Sequence, residues 1–317
     1  MPKKDVNTAK SDIVKLSVGS NSALVVFKLI VGLSIGSVSV LSEAIHSGID
    51  LVAALIAYFA VRSSAQPADK DHHYGHGKFE NISGFVEAIL IFLAAAWIIY
   101  EAVKKFVNPA PIELVGWGIL VMALSSFVNM AVSHMLFKVG NETDSIAIKA
   151  DAWHLRTDVY TSMGVMTGLG LMWLIELAWV GHHVHWIDPL AAILVALLII
   201  KAAYELTLQS LGDLLDESLP KEDNLKIAEL IKKQKEVVSF KNLRTRKAGA
   251  TKFIEFDILV NAEMSVEKAH SLTDDIISDI ERVLSHSKVT IHIEPCDLKC
   301  PATCLSNCGQ PTLTLKR

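Results

Sequence analysis

Residues 43–50 of the chain read Glu43-Ala-Ile-His46-Ser-Gly-Ile-Asp50, and residues 151–158 read Asp151-Ala-Trp-His154-Leu-Arg-Thr-Asp158. Both stretches lie in segments that are apolar enough to enter a membrane. In each, the histidine is followed four positions later by an aspartate and preceded three positions earlier by an acidic residue, so the three side chains share one face of an α-helix. Two such helices facing each other would offer two imidazoles and two carboxylates, a donor set typical of tetrahedral zinc sites.

The repetition of this spacing decides between two interpretations. A single His-Asp pair is as well explained by a structural hydrogen bond that holds two helices together. Ionisable groups at membrane depth are costly, however, and they usually face a bundle interior or a cavity and mark an ion path. Two copies of the spacing favour a metal transport site, which would consist of His46, Asp50, His154 and Asp158.

Composition indicates an integral membrane protein. Hydrophobic residues make up 51% of the 317 residues and the mean hydropathy is +0.38, while charged residues account for 20% and concentrate in the ends and short loops. The net charge of -4 and the lack of a basic stripe argue against a nucleic-acid partner. Six segments have the length and hydropathy of membrane spans. They cover roughly residues 13–33, 38–61, 79–103, 114–137, 146–177 and 186–208.

The distribution of lysine and arginine predicts the orientation of these spans. Cytoplasmic loops carry an excess of basic residues. One side of the predicted bundle would hold only Lys104 and Lys105, whereas the other would hold Lys3, Lys4, Lys10, Lys15, Arg62, Lys70, Lys78, Lys138 and Lys149. We therefore expect both termini in the cytoplasm, in a multi-pass protein of the inner or plasma membrane. The basic N-terminus leads into a full-length span without a cleavage site of small residues, which is unlike a signal peptide.

The sequence divides into four parts. Residues 1–12 form a cytoplasmic N-terminal tail, residues 13–210 the six-helix transmembrane domain, residues 211–295 a cytoplasmic domain and residues 296–317 a cysteine-containing tail. In the cytoplasmic domain, the alternation in residues 253–260 and 288–294 predicts strands, and the spacing of apolar residues over 266–283 predicts a helix. The order helix, strand, strand, helix, strand predicts a small α+β domain of metallochaperone-like type.

Three features together resemble the cation diffusion facilitator family. They are the His-xxx-Asp motifs on the second and fifth of six spans, the loop PADKDHHYGHGK at residues 67–78, and the α+β tail, and they cover the chain from about Ser11 to Cys296. The resemblance implies a homodimeric, proton-coupled exporter of divalent metal that works by alternating access. It assigns the transport site to His46, Asp50, His154 and Asp158. It also implies zinc as the main substrate, with cadmium, iron(II) and cobalt as alternatives. No catalytic cofactor is expected, and zinc would also serve as a structural or regulatory ion.

The resemblance also implies two further metal sites and one ion pair. The loop site would consist of Asp69, His72 and His76, with His73 as the nearest competitor; a solvated connector is the alternative. The cytoplasmic site would consist of Asp257, His270, His292 and Glu294, although Lys241 stands where some relatives have a histidine. Lys78 and Asp216 match positions that form an ion pair near the family's dimer interface.

Two clusters of soft ligands remain outside this scheme. All four cysteines recur at intervals of four residues near the C-terminus, at Cys296, Cys300, Cys304 and Cys308. In a reducing compartment they would be thiols, which could hold a metal ion or could simply belong to a disordered tail. Three histidines between the last two spans could assist metal release, or could belong to a solvated loop: His182, His183 and His185.

Two other classes of function were weighed against transport. A membrane metalloenzyme needs an open coordination position and a general base, and the chain contains no His-Glu-xx-His or Gly-x-Ser-x-Gly motif. A non-transporting metal sensor, whose tail would report metal occupancy, fits the same ligands. We therefore expect a secondary active transporter and not an enzyme, with the sensor as the alternative.

Overall fold

The first part of the chain consists of long helices. The structure is a computed structural model that describes residues 6–35, 38–107, 116–178 and 187–296, and it divides the chain into two compact units, Met1–Leu211 and Gly212–Arg317. The first six helices contain 27 to 33 residues each. They are α1 (Val6–Ile35), α2 (Val38–Ser64), α3 (Lys78–Val107), α4 (Gly116–Glu142), α5 (Ile146–Ala178) and α6 (Ile187–Leu214).

Three of these helices contain a stretch that is long and apolar enough, within the described residues, to cross a membrane. The stretches are Asn7–Val31 in α1, Lys78–Lys104 in α3 and Ala192–Leu214 in α6. A helix rises about 1.5 Å per residue, so each of the six helices exceeds the roughly 30 Å of a bilayer's hydrocarbon core. The helix bounds lie within a few residues of the predicted spans except at the start of α1, which begins seven residues earlier.

Helix α5 lies at the centre of the first unit. Its residues Ala147, Ile148, Ala152 and Leu155 pack with residues of α1, α2 and α4 in one buried cluster. Its residues Ile146 and Ala150 pack with residues of α3 and α6 in a second cluster. Because the two faces of α5 contribute to different clusters, its first half is enclosed by the other helices, and its polar residues Asp151, His154 and Thr157 are buried as well.

A buried polar network joins the helices at the start of α3. The Glu80 carboxylate forms an ion pair with Lys10 Nζ at 2.7 Å and accepts hydrogen bonds from the hydroxyls of Ser64, at 2.7 Å, and Ser145. The side chains of Lys10 and Glu80 are only 6% and 2% exposed. These four residues belong to α1, α2, α3 and the turn before α5, so one carboxylate connects four segments.

Helix α3 approaches its neighbours closely at Gly84. A Cβ atom at this position would lie 2.9 Å from Ser210 Oγ of α6 and 3.2 Å from a side-chain carbon of Ile146 in α5. The absence of a side chain therefore lets α3 pack against both helices at this level. One turn further along α3, Glu87 lies on the same face.

The second unit is a three-stranded sheet with two helices. Its elements are α7 (Lys221–Lys232), β1 (Ser239–Ala248), β2 (Thr251–Asn261), α8 (Val266–Val283) and β3 (Ser287–Cys296). The strand order is β1-β2-β3, with β1 and β2 antiparallel and β2 and β3 parallel. The parallel pairing follows from the helix between β2 and β3, which carries the chain back to the start of the sheet.

The core of the second unit lies between one face of the sheet and the two helices. Ile254, Phe256, Ile258 and Val260 of β2 are all buried, as their alternation predicts. On β3 the predicted inward residues Val289, Ile291 and Ile293 are only partly buried, because β3 is an edge strand. On α8 the ends of the apolar stripe, Val266 and Val283, are exposed. The prediction of a helical membrane domain followed by an α-β-β-α-β domain is nevertheless confirmed.

Candidate metal centre

The structure brings three of the four predicted transport ligands together inside the first unit. Asp50 of α2 and His154 and Asp158 of α5 each place one ligand atom within 4.8 Å of the others. His154 Nε2 lies 3.2 Å from Asp50 Oδ1. The side chains of His154 and Asp50 are 8% and 5% exposed. A dehydrated group of one imidazole and two carboxylates between two helices is an arrangement that can hold a divalent cation.

The fourth predicted ligand, His46, lies on α2 one turn before Asp50. Its side chain lies outside the described residues, so its part in the site stays a prediction. The neighbouring Ser47 is buried and accepts a hydrogen bond from Lys28 Nζ of α1 at 2.8 Å. A helical repeat of four residues puts positions 46 and 50 on the same face of α2.

The three predicted loop ligands form a second group between α2 and α3. His72 Nδ1 lies 3.2 Å from Asp69 Oδ1, and His76 Nε2 lies 3.3 Å from Asp69 Oδ2. The two imidazole ring centroids are 4.5 Å apart. The ligand atoms of all three residues fall within 4.8 Å of one another, and His73 is not part of the group. The predicted ligand set is therefore assembled by the fold of the loop.

The loop backbone orients these ligands. Gly75 has a φ of 86°, a left-handed conformation that favours glycine, and its N–H bonds to the His72 carbonyl at 2.9 Å. The Nδ1 atom of His76 lies 3.1 Å from the Pro67 carbonyl oxygen. Because a carbonyl can only accept, Nδ1 carries the proton and donates it, and Nε2 keeps its lone pair for a metal.

Backbone N–H groups stabilise the charged form of the Asp69 carboxylate, which is the form that binds a cation. Its Oδ1 accepts hydrogen bonds from the backbone N–H of His72 at 2.6 Å and of Asp71 at 2.9 Å. The His72 N–H is the largest of the effects that hold the pKa of Asp69 below its usual value. The side chain is half exposed, so solvent and metal ions can reach it. The loop group thus combines an ionised carboxylate with an imidazole whose free nitrogen is fixed.

In the cytoplasmic domain, the predicted ligands are divided between two places. Asp257 of β2 lies opposite His292 of β3 in the sheet, and Glu294 follows on the same strand. His270 lies on the exposed side of α8, 3.8 Å from Asp274 and 76% exposed. Within one subunit, the described residues do not form a four-ligand group here. The cytoplasmic site stays a prediction.

The ammonium group of Lys241 places a positive charge next to the predicted ligands Asp257 and Glu294. Its ammonium lies 2.6 Å from Glu294 Oε2, and β1 places Lys241 opposite Asp257. Asn242 Nδ2 donates to Asp257 Oδ2 at 2.6 Å. The hydrogen bond to Glu294 is the main reason why the pKa of Lys241 is raised. Two of the predicted carboxylate ligands are therefore already engaged by side chains of this chain.

Of the remaining predicted residues, some lie within the described part of the chain and the others lie outside it. Cys296 is a buried free thiol at the end of β3, whereas Cys300, Cys304 and Cys308 lie outside the described residues. His182, His183 and His185 also lie outside them. Asp216 forms an ion pair with Arg246 at 3.3 Å inside the second unit. The pairing of Lys78 with Asp216 stays a prediction.

Sequence patterns missed several buried polar residues. Lys10 and Glu80 read as ordinary charges near helix ends, and only the tertiary fold pairs them. Arg156 lies two residues past His154, which places it off the ligand face. Its Nε donates a hydrogen bond to Ser133 Oγ at 3.1 Å, and its guanidinium lies 5.2 Å from the Phe137 ring centroid. Glu87 carries one local signal of its role, since it is a glutamate inside an apolar span.

The chain matches two known protein families in succession. Residues 14–215 match the cation efflux transmembrane domain, and residues 219–296 match the cation efflux protein cytoplasmic domain. A transporter of Synechocystis described as uncharacterised is 34% identical over 281 residues, covering 88% of each chain. The cation-efflux pump FieF of Shewanella oneidensis is 30% identical over 281 residues, covering 89% of this chain and 92% of the pump.

Among solved structures, one of the candidate zinc transporter CzrB is 30% identical, with a TM-score of 0.24, and covers 25% of this chain and 99% of that one. The family assignment rests on the two family matches and on the relatives that extend over most of the chain. With its buried Asp50, His154 and Asp158 group, this chain belongs to the cation diffusion facilitator family of membrane-embedded divalent metal transporters, which are not enzymes.

Proposed function

We propose that this protein exports zinc from the cytoplasm in exchange for protons, by alternating access, as a homodimer. The observation that supports this most directly is the buried group of Asp50, His154 and Asp158, whose ligand atoms lie within 4.8 Å of one another between α2 and α5. The protein would lie in the inner or plasma membrane with both termini in the cytoplasm, as the basic residues of the loops indicate.

The donor atoms favour zinc. Imidazole nitrogen suits zinc and other borderline metals, whereas sites made only of oxygen suit magnesium, calcium and manganese. With His46 added from α2, the site would have two nitrogen and two oxygen donors, which is sufficient for tetrahedral zinc. Cadmium, iron(II) and cobalt accept the same donors, so they are expected as weaker or alternative substrates.

The ligands themselves provide a reason for proton coupling. An imidazole nitrogen or a carboxylate binds metal only when it is deprotonated, so an arriving dication displaces protons from the site. If the same site faces the other side of the membrane, protons can reload it and expel the metal. An inward proton gradient then drives metal outward.

The loop group is proposed as a structural or regulatory zinc site. Asp69 and His72 are half exposed and His76 is buried, and the group lies in the connection between α2, which carries Asp50, and α3. Zinc bound by Asp69, His72 and His76 would hold this connection in one conformation and so affect the position of α2. A bound ion that favours one conformation shifts the population towards it.

Zinc flux in sealed vesicles tests the proposal. The full chain is reconstituted in proteoliposomes, and zinc uptake is followed under an outward proton gradient and without one. We expect uptake that requires the gradient and is lost in Asp158→Asn, because the substitution removes a negatively charged ligand. The control is Glu205→Gln, which removes an exposed carboxylate of α6 that lies 3.8 Å from Lys201 Nζ.

The same experiment separates transport from sensing. Zinc binding without flux, in a wild type that is correctly folded, would overturn the transport proposal and favour the metal sensor. Flux that persists without a proton gradient would support metal transport but would exclude exchange with protons. Flux of cadmium or iron(II) but not zinc would retain the mechanism and change the substrate.

A further inference from the structure

Two carboxylates in the helical unit are buried more completely than the transport ligands. Glu87 of α3 and Asp151 of α5 are both 0% exposed. Asp151 lies three residues before His154, hence on the same face of α5, and it is nearer to the start of the helix. Neither residue belongs to the groups of metal ligands in the described part of the chain.

The two carboxylates lack the partners that buried charges normally have. Glu87 Oε1 lies 3.1 Å from the Ser83 hydroxyl, but Glu87 Oε2 and both oxygens of Asp151 have no hydrogen-bond partner among the described residues. The Ser17 hydroxyl of α1 is near enough to interact with the Asp151 carboxylate, but its geometry does not meet that of a hydrogen bond, and Ser17 Oγ is itself unsatisfied among the described residues. Buried polar atoms are nearly always satisfied, so three unsatisfied oxygens on two interacting carboxylates indicate a missing ligand.

The charges around the pair do not neutralise it. Glu87 and Asp151 act electrostatically on each other across the contact between α3 and α5. The other ionisable groups that act on Asp151 are His154 of α5 and Asp50 of α2, which face each other in the transport site. Lysine and arginine are not among the groups that act on the pair in the described residues. Two ionised carboxylates side by side without solvent would be strongly unfavourable.

A cation must therefore accompany the pair, and the donor set favours a proton over a metal ion. The site offers two carboxylates and one hydroxyl, all oxygen, whereas zinc usually requires four donors. Among the described residues, Glu87 and Asp151 do not form a group of three with any further histidine, cysteine or acidic side chain within 4.8 Å. A proton needs only one carboxylate oxygen, and protonating one member of the pair removes the repulsion.

We propose that Glu87 and Asp151 form a proton-binding site that is distinct from the metal ligands and exchanges its proton during the transport cycle. The site holds a proton when the transport site contains no metal. When a dication binds at Asp50, His154 and Asp158, its charge, about one helical turn from Asp151, stabilises the ionised pair. The O–H bond of the carboxyl group then breaks, the electron pair stays on oxygen, and the proton leaves to solvent.

This inference rests on the proposed antiport for its role in the cycle, but the proton site itself can be measured without transport. Infrared spectroscopy of the full chain, purified without metal in detergent, reports the carbonyl stretch of protonated carboxyl groups. We expect such a band at neutral pH and its loss in Glu87→Gln. The matched control, Glu101→Gln, changes a partly exposed glutamate of the same helix and should leave the band intact.

Proton release on zinc binding provides the second measurement. Calorimetric titration with zinc chloride in two buffers of different ionisation enthalpy gives the number of protons released per zinc bound. We expect Glu87→Gln to bind the same number of zinc ions as the wild type and to release about one proton fewer. Asp151→Asn repeats the measurement if the first variant does not fold, because either substitution removes one member of the pair.

Two outcomes would overturn the proton site. An unchanged band together with an unchanged proton count in both variants would show that the pair holds no exchangeable proton. A loss of one bound zinc in Glu87→Gln would show that the pair ligates metal instead. Failure of zinc flux in vesicles with an intact infrared band would contradict the antiport alone, so the two proposals can fail separately.

Discussion

The Nε2 atom of His154 lies 3.2 Å from Oδ1 of Asp50, which joins α5 to α2 across 104 residues of sequence. In this contact each side chain uses the atom that it would offer to a metal. In the proposed transport cycle, entry of a metal ion would therefore replace a contact between helices by two metal bonds. The ligand group and the packing of α2 against α5 are coupled through this one pair.

Removal of the Asp50 carboxylate should weaken metal binding without unfolding the helical unit. Asp50→Asn keeps the size of the side chain and a hydrogen-bond acceptor for His154, but it removes a charged ligand. We expect zinc affinity at the transport site to fall at least about tenfold. Calorimetry on the full chain measures this, with Glu205→Gln as the control. Equal affinities in wild type and Asp50→Asn would exclude Asp50 as a ligand.

The loop site can be tested with neighbouring histidines. His76→Ala should remove one bound zinc per chain, because it deletes the imidazole whose Nε2 faces Asp69. His73→Ala, three positions away and outside the ligand group, should bind as much zinc as the wild type. Metal content measured after dialysis distinguishes the two variants. Identical losses in both would contradict the proposed ligand set.

The loop site should also lose zinc on mild acidification. The pKa of Asp69 is lowered, chiefly by the His72 N–H, so the carboxylate stays ionised at all pH values above its usual 3.8. Its stabilising hydrogen bonds are therefore present above that pH and are lost only below it. Imidazole and carboxylate bind metal only when deprotonated, so protons compete with zinc for the loop site as the pH falls. Competition with a fluorescent chelator follows the zinc release, and retention of zinc down to pH 4 would contradict this expectation.

Breaking the buried Lys10–Glu80 pair should destabilise the helical unit. Lys10→Ala leaves the Glu80 carboxylate buried without its cation, which costs about 3–5 kcal/mol. The control is Lys104→Ala, which breaks an exposed pair with Glu101 and should change the free energy of unfolding by less than about 1 kcal/mol. Denaturant unfolding in detergent compares the two. Equal stabilities would show that Glu80 is sufficiently stabilised by Ser64 and Ser145.

Lys241 should suppress metal binding in the cytoplasmic domain. Lys241→His removes the ammonium that lies 2.6 Å from Glu294 and adds an imidazole beside Asp257 and His292. In a full chain that also carries Asp50→Asn and His76→Ala, we expect zinc affinity to rise on the order of tenfold. Lys288→His, on the same sheet, serves as the control. If Lys241→His does not raise the zinc affinity above that of the same chain with Lys241, this region is not a latent metal site.

Local patterns predicted the elements of this structure well, because spans and strands depend on periodicity. Ile254, Phe256, Ile258 and Val260 are buried as their alternation requires, and Asp69, His72 and His76 assemble within one short loop. In α7 the residues Leu225, Ala228 and Ile231 have the spacing of a buried helix stripe, but Leu225 is 54% exposed because the helix packs through Ile227 and Ile231. A difference of two residues in phase is beyond what a short apolar pattern resolves.

Long-range partners could not be predicted from the sequence. Nothing local indicates that Lys10 pairs with Glu80, 70 residues away, or that Glu87 and Asp151 interact electrostatically. Such pairs depend on which helix faces meet, and that is decided by packing over the whole unit. His270 illustrates the same point, because its type and spacing fit a ligand, whereas α8 turns it to the exposed side.

The Lys10–Glu80 pair has a consequence for biosynthesis. Lys10 is translated 70 residues before Glu80, so α1 leaves the ribosome with an ammonium group whose partner does not yet exist. Until α3 is complete, that group can be stabilised only by water or lipid headgroups. The buried contact between α1 and α3 at Lys10 and Glu80 can therefore form only after the third helix has been made.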